Sequence, residues 1–588
     1  MTDRVERFVA GGVIAISAFI GASWLLAMTG TLTRTHVLIA LVAIVVGFGV
    51  FFGVRRRSHG FESGGFAAAL RSPVILIAAW SVFILWRGAV VPPLSYDAMT
   101  YHFPKAAILV QNEGYVRIDS QDARLRSFPS NYELLVADLF LLTGSDRYTE
   151  WIGTAFYLLF LAGTAVIVRR WWGPGLHVAA CVVAAGSAPL LLLHSGADKN
   201  DLMTGFFAVM ALFWSARWCS EGGAWPAALA ILCGVLGIGT KLTAATIVLG
   251  VAPFGLLALL RRPPNARWLL AAILFGAMAL LLLGGWVFVM NATAPAGTAA
   301  TAVAGVPTAP YGVWKNLWLL PYEIVRVSFG LPVSRYWPKH DLYMSHFGPV
   351  FGLALIALPF CVWRYHSALE SGGTRERTIA SVAALIAFLI LLPIAQEGDA
   401  QYAGILRYGM FILPFVLAWT IAPVVRELAE RRRPWAHAIT TLIAITFVAQ
   451  AADIAANDTF APMDYVRWAA AHPGTRDGLH VRNRAAFMAD RMAGPSDTMA
   501  VFGGADVWIY PAYGRQFTRK VLRLKYNATM ADVPPEADWL LVDHPPPFGQ
   551  RPAEEQTRFL REAMNDPRFV LRLRHRGFNQ AVFQRVAK

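Results

Sequence analysis

Asp97 and the neighbouring acids Asp198 and Asp201 stand in two short polar turns of a chain that is otherwise largely apolar. An acid held where a span ends has a use in chemistry on a molecule that lives in the bilayer. A carboxylate so placed suits a general base that takes the proton of an acceptor hydroxyl. Lys241 interrupts the apolar run 231–249, and Arg407, followed by Tyr408, opens another apolar run. Cations at such positions call for an anionic partner. A lipid phosphate provides one, since Arg grips it with two parallel hydrogen bonds and Lys holds it as a point charge.

Each residue also has a plainer structural reading. Asp97 and Asp201 suit helix N-caps, and Lys241 suits a lysine snorkelling to the surface. Tyr101 and His102 follow Asp97 closely, and Glu133 comes after the turn at Pro129. These three are read as supporting residues, because no second histidine lies at metal-ligand spacing and a lone histidine is more often structural.

The elements that position these residues are membrane helices. The 588 residues are 56% hydrophobic and only 15% charged, with a mean hydropathy of +0.47. That exceeds what a water-soluble surface tolerates. About thirteen apolar blocks between 8 and 454 are long enough to read as spans, at about 20 residues per crossing. The net charge of +15 and the pI near 9.8 raise a nucleic-acid reading. The basic residues, however, are scattered among loops: Arg4 and Arg7, Arg55 to Arg57, Arg169 and Arg170, Arg261, Arg262 and Arg267, Arg364, Arg375 and Arg377, Arg426 and Arg431 to Arg433. All of them fall on one side if the N-terminus is cytoplasmic, which is the positive-inside pattern and not a nucleic-acid stripe. Three long segments then lie outside: 92–148, 291–346 and everything after about 455. The run after Arg7 is too long for a signal peptide and a second span follows at once, so an uncleaved first helix is expected. Cys181, Cys219, Cys233 and Cys361 sit in or beside apolar blocks without a CxxC pair, so neither a disulfide nor a cysteine metal site is expected.

In the first outer segment, 97–111 has helical spacing that puts Asp97, Tyr101 and Lys105 on one face, with Pro104 as a kink. The run 132–143 reads as a helix lying in the interface or dipping back, and 314–329 as another interfacial helix after a low-complexity stretch at 291–310. From about 496 the pattern changes to strands at 498–502, 521–526, 539–542, 569–573 and 580–584, with a helix at 554–564. Gly503-Gly504 reads as a turn and not a phosphate loop. The expected organisation is two leading membrane helices (1–70), a transmembrane catalytic region (71–455) and an extracytoplasmic linker with a small α/β domain (456–588).

The acidic motif after an early span, the short interfacial helices, the second acidic turn, Thr240-Lys241 and the Arg407-Tyr408 opening of a late span together resemble the GT-C superfamily of integral membrane glycosyltransferases. The likeness is to the branch of the protein O-mannosyltransferases and the lipid A aminoarabinose transferases, and it covers roughly residues 70–425 by topology and motif order. It implies a polytopic α-helical transferase in a bacterial inner membrane. Such an enzyme takes a sugar from a polyprenyl-phosphate carrier and passes it to a glycan, lipid or protein acceptor on the outer side. Carried over, Asp97 takes the catalytic acidic position and Asp198 or Asp201 the second acidic turn, while Lys241 and Arg407 with Tyr408 contact the donor phosphate. Many relatives carry paired acids in the first motif, whereas this chain has Tyr96-Asp97-Ala98. An inverting, metal-independent transfer without a cofactor is the expected chemistry. The rival reading is a lipid-linked sugar flippase or other secondary transporter, but such proteins hold their polar residues near the midplane and often in repeats. A third is a scaffold whose outer domain recruits partners.

Overall fold

The computed structural model describes residues 4–56, 72–118, 120, 122–262, 265–293, 328–329, 346–366, 373–394, 407–458, 461–472, 484–503, 507–525, 527–543, 553–575 and 580–586. The low-complexity stretch at 291–310 and the helix expected at 314–329 lie almost wholly outside these residues. So does Gly504.

Helix α1 spans Arg4–Met28, α2 Arg34–Arg56 and α3 Ile75–Val90. After α3 comes a π-helical turn, Ala98–His102, which runs into α4 (Phe103–Gln111) and is followed by α5 (Ala123–Ser127) and α6 (Asn131–Thr143). The bundle continues with α7 (Glu150–Trp172), α8 (Leu176–Gly186), α9 (Pro189–Ser195), α10 (Asp201–Glu221) and α11 (Ala224–Thr240). Then come α12 (Ala245–Arg261), α13 (Ala266–Leu280), α14 (Trp286–Ala292), α15 (Pro349–His366), α16 (Gly373–Ile394), α17 (Leu413–Arg431), α18 (Arg433–Asn457) and α19 (Met463–Ala471).

Every apolar block read from the sequence carries a helix. Among the described residues, seven helices are long and apolar enough to cross a membrane, or eight if α8 and α9, bent by 70°, form one span. Four further apolar helices are shorter. The chain is a multi-pass membrane protein. Its centre is α10, 89% of whose apolar window is buried, against 22% for α18. Lipid is as apolar as a protein core, so α18 leaves Leu442 and Ile445 facing outward.

Two breaks in the helices shape the site. Pro189 opens α9 after the bend. Between α13 and α14, Leu283 and Gly284 leave the helical region, Gly284 at φ +117°. A β-carbon on Gly284 would lie 2.6 Å from the Cα of Gly239 on α11, so the two backbones touch there. The carbonyl of Leu283, freed by the break, accepts a hydrogen bond from Asn131 Nδ2 at 2.9 Å. That satisfies a backbone group which lipid would leave unpaired.

The C-terminal sheet has strands β1 (Thr498–Phe502), β2 (Lys520–Arg523), β3 (Trp539–Val542), β4 (Phe569–His575) and β5 (Gln580–Arg585), close to the expected bounds. Their spatial order is β2-β1-β3-β5-β4, with β1 parallel to β2 and β3 and the β3-β5-β4 half antiparallel. Phe559, on the helix Ala553–Asn565, stacks on Phe502 of β1 at 3.7 Å between ring centroids and joins this sheet to its helix. The domain rests on the polar segment that follows α3. Gln111 donates to the carbonyls of Phe517 and Arg519 at 2.7 and 2.6 Å, Tyr510 donates to Asp146 at 3.1 Å, and Phe517 stacks on Phe140 at 4.4 Å.

This docking changes the reading of 132–143. Helix α6 is an interior element, with Tyr132, Leu134, Val136, Ala137 and Phe140 buried. On its other side Trp24 of α1 donates to Asn131 at 2.8 Å and Ser23 to Asp138 at 2.7 Å. A cover supplied from both ends of the chain replaces the expected contact with the membrane interface.

Candidate active site

Asp97 lies at the head of the π-helical turn in αR conformation and makes no capping hydrogen bond. The N-cap of α10 is Asn200, and Asp201 is that helix's first residue. Neither acid therefore plays the capping role that its type suggested.

Both are held by cations instead. Asp97 Oδ2 is 3.3 Å from Lys199 Nζ and 4.0 Å from Arg407 Nη2. Asp201 Oδ1 accepts from Lys241 Nζ at 2.6 Å, and its Oδ2 is 3.7 Å from Arg407 Nε. His194, at the end of α9, brings Nδ1 within 3.6 Å of the same Asp201 oxygen. Lys241 Nζ also donates to Asn200 Oδ1 at 3.3 Å and lies 4.1 Å from the centre of the Tyr408 ring. Arg407 donates to the Tyr408 hydroxyl at 2.9 Å. Residues from four distant segments thus meet in one cluster.

The cluster has a floor and a mouth. Asp201 and Lys199 are 1% and 4% exposed, whereas Asp97, Lys241 and Arg407 keep about 15%. Among the described residues, two carboxylates face three cations there. Burial pushes the Asp97 carboxyl up, but Lys199 first, then Arg407, His102 and Lys241, outweigh it and hold the group well below the usual carboxylate range. Burial likewise lowers Lys241, and Asp201 and Tyr408 more than reverse this, so the ammonium stays charged.

Behind Asp97, His102 Nδ1 and Glu133 Oε1 form a fully buried contact of 2.7 Å, and Tyr132 meets the imidazole edge-on at 5.0 Å. Tyr101 packs under Arg124 at 5.0 Å. Arg124 in turn is bound to Asp122 at 3.0 Å, and Arg523 of β2 reaches the same carboxylate at 3.5 Å. The single face expected for Asp97, Tyr101 and Lys105 does not survive the π turn, which alters the helical register. Lys105 is buried instead, donates to the carbonyl of Phe128 at 2.6 Å, and is brought down to about 8 by desolvation.

The two acids of the second turn part company. Asp201 enters the cluster, while Asp198 faces a different set. There the buried Arg87 bridges Glu150 and Asp458, each at 3.1 Å, and also binds the carbonyl of Gly196. Burial, with Glu150 adding to it, raises the Asp198 carboxyl well above the ordinary carboxylate range. Asp198 thus belongs with the support of the turn.

Two residues of consequence were missed from sequence. Lys199 stands between the two acids of the second turn, and Arg87 stands in the last turn of α3. Both are cations at the same end of the bundle as Lys241 and Arg407. The bias that marked those two marks these as well. The four cysteines are free and buried. Among the described residues, no three His, Cys, Asp or Glu side chains converge as a metal-binding group.

No protein-family model matches the chain, and no curated protein does. Among solved structures it is similar to ArnT from Cupriavidus metallidurans bound to undecaprenyl phosphate, with 12% identity, a TM-score of 0.50, and coverage of 88% of this chain and 98% of that one. The apo state of ArnT matches at 13% identity and a TM-score of 0.48, covering 87% and 98%. The archaeal oligosaccharyltransferase AglB from Archaeoglobus fulgidus, in complex with an inhibitory peptide and a dolichol-phosphate, matches at 11% identity and 0.42, covering 80% and 69%. The likeness to ArnT shows the fold: the chain is folded as that protein is over most of both lengths.

Proposed function

We propose that the protein is an integral membrane glycosyltransferase that takes a sugar from a polyprenyl-phosphate donor and passes it to an acceptor hydroxyl at the outer face of the membrane. The observation that carries this reading is the gathering of cations in the cluster. Among the described residues, Lys199, Lys241 and Arg407 converge from three segments around Asp97 and Asp201, and a sugar-phosphate-lipid diester brings the negative charge that such cations hold. The bound phosphate of the similar ArnT structure supports the same choice of donor.

In the reaction, Asp97 takes the proton of the acceptor hydroxyl. The acceptor oxygen bonds to the anomeric carbon from the face opposite the phosphate, while the bond from that carbon to the phosphate oxygen breaks. Both electrons of the broken bond leave with the lipid phosphate, which gains a second negative charge. Lys241 and Arg407 stand where that charge grows, and stabilisation of growing charge is what lowers a barrier. A donor phosphate drawing Lys199 and Arg407 towards itself also loosens their hold on Asp97. That moves the carboxylate towards ordinary basicity at the moment it is needed.

Mass spectrometry of envelope glycans, lipids and proteins from cells with and without the protein tests the reading. A glycosylated species is expected with the wild-type protein and absent both without it and with Asp97→Asn. The same species at wild-type level in the Asp97→Asn strain overturns the assignment of the base.

A further inference from the structure

At the other end of α10, about 30 Å from Asp201 at 1.5 Å per residue, a second basic site lies between helix ends. A cavity of about 290 Å³ is lined there by Arg261, Arg262 and Arg375, with Trp218, Trp268 and Asn265. Among the described residues, no acid lines it. The acids next to it in sequence, Glu221 and Glu376, are both bound by Arg170, and Glu221 also by Arg217. Arg262 reaches the carbonyl of Ser220 at 3.5 Å, which turns its guanidinium back over the end of α10.

Three features make this an anion site. The guanidinium groups come from two helices, α12 and α16, and no carboxylate among the lining residues balances them. The N-termini of α13 and α16 both open here, since Asn265 caps α13 by accepting from Trp268 N at 2.7 Å and Arg375 stands in the first turn of α16. Helix N-termini carry partial positive charge and favour anions. Thirdly, one wall is apolar: Trp218 and Trp268 stack at 6.3 Å with planes 9° apart. Helices α12 and α13 continue from that wall with exposed Leu256, Leu260, Leu269 and Ile273.

We propose that this cavity binds the phosphate headgroup of an anionic membrane lipid, with an acyl chain running along the tryptophan pair and the exposed leucines. A headgroup phosphate satisfies the guanidinium groups by paired hydrogen bonds, and the apolar wall has no use for a free anion. The site is independent of the transfer reaction, from which it is separated by the thickness of the membrane.

The test uses the full-length protein in a neutral detergent, with phosphatidylglycerol and phosphatidylcholine as probes, read by native mass spectrometry and thermal shift. Phosphatidylglycerol is expected to bind and stabilise the wild type, and the triple variant R261Q/R262Q/R375Q to lose affinity by on the order of tenfold. The control R432Q/R433Q, which removes two charges at the same end outside the cavity, keeps the preference. A triple Arg→Lys variant, which keeps charge and fold but cannot grip two oxygens at once, falls between them. Equal binding of both lipids by the wild type overturns the proposal, as does equal loss in the cavity variant and the control. Inorganic phosphate at matched ionic strength separates the sources. Protection by it alone, without phosphatidylglycerol, overturns the lipid assignment.

Discussion

The two ends of the bundle spend their charged residues differently. At the end that holds Asp97, Arg87 is buried and paired across three elements, and Lys199, Lys241 and Arg407 are almost wholly covered. At the other end cover is uneven: Arg217 and Glu6 are largely covered, but other pairs are open. Arg170, 35% exposed, reaches Glu221 and Glu376, and Arg426 pairs with Glu430 four residues on, with both largely exposed. Exposed pairs contribute little, because water and salt compete for them. Buried charges cost desolvation energy, so a buried set of several cations makes sense as the receiver of an anionic ligand.

The sharpest way to break this contrast is Arg87→Ala. It leaves Glu150 and Asp458 buried without their shared cation, and a loss of about 3–5 kcal/mol is expected in thermal or denaturant unfolding in detergent. A small loss would mean that water reaches this end freely and that the contrast is false. Next in size is Arg407→Gln, expected to lower the transfer rate by on the order of 10²–10³ while the fold persists. Wild-type turnover in that variant would remove the arginine from the proposed chemistry.

A finer test sharpens the electrostatics. Asp97 lies below its usual range in the folded protein, so the stability it contributes is present above the ordinary carboxylate pKa and is lost only as the pH falls through the lowered value. Lys199→Met removes the largest opposing cation, so the Asp97 pKa rises and the acid limb of the pH–rate profile moves to higher pH. An unmoved acid limb would show that Lys199 does not act on Asp97. The smallest effect belongs to the open end: Arg426→Ala is expected to change unfolding stability by less than about 0.5 kcal/mol.

The helices were legible because each apolar block is long and the basic clusters recur at the connections of one side, and the strands because short β-branched and aromatic runs are bounded by Gly and Pro. Lys241 and Arg407 were legible because each breaks an apolar run at the end where cations are scarce. Lys199 and Arg87 carry the same mark, each a cation at that end of the bundle. The choice between Asp198 and Asp201 was not readable. They stand three residues apart in one turn, and only the position of Arg87, contributed from more than 100 residues earlier, assigns one to each cluster. The interior place of α6 was equally hidden, since its cover comes from Trp24 and Phe517.

That cover has a consequence for how the protein is made. Trp24 leaves the ribosome almost 500 residues before Phe517, yet both residues belong to the cover of the same short helix. Asn131, which fixes the break beside Gly239, waits between them. Until Phe517 has been made, that helix has its cover from Trp24 and lacks the one from the C-terminal domain. The end of the molecule that holds Asp97 therefore matures only after the C-terminal domain has docked, and a nascent chain stalled before residue 500 carries every proposed site residue without the ring that packs on Phe140.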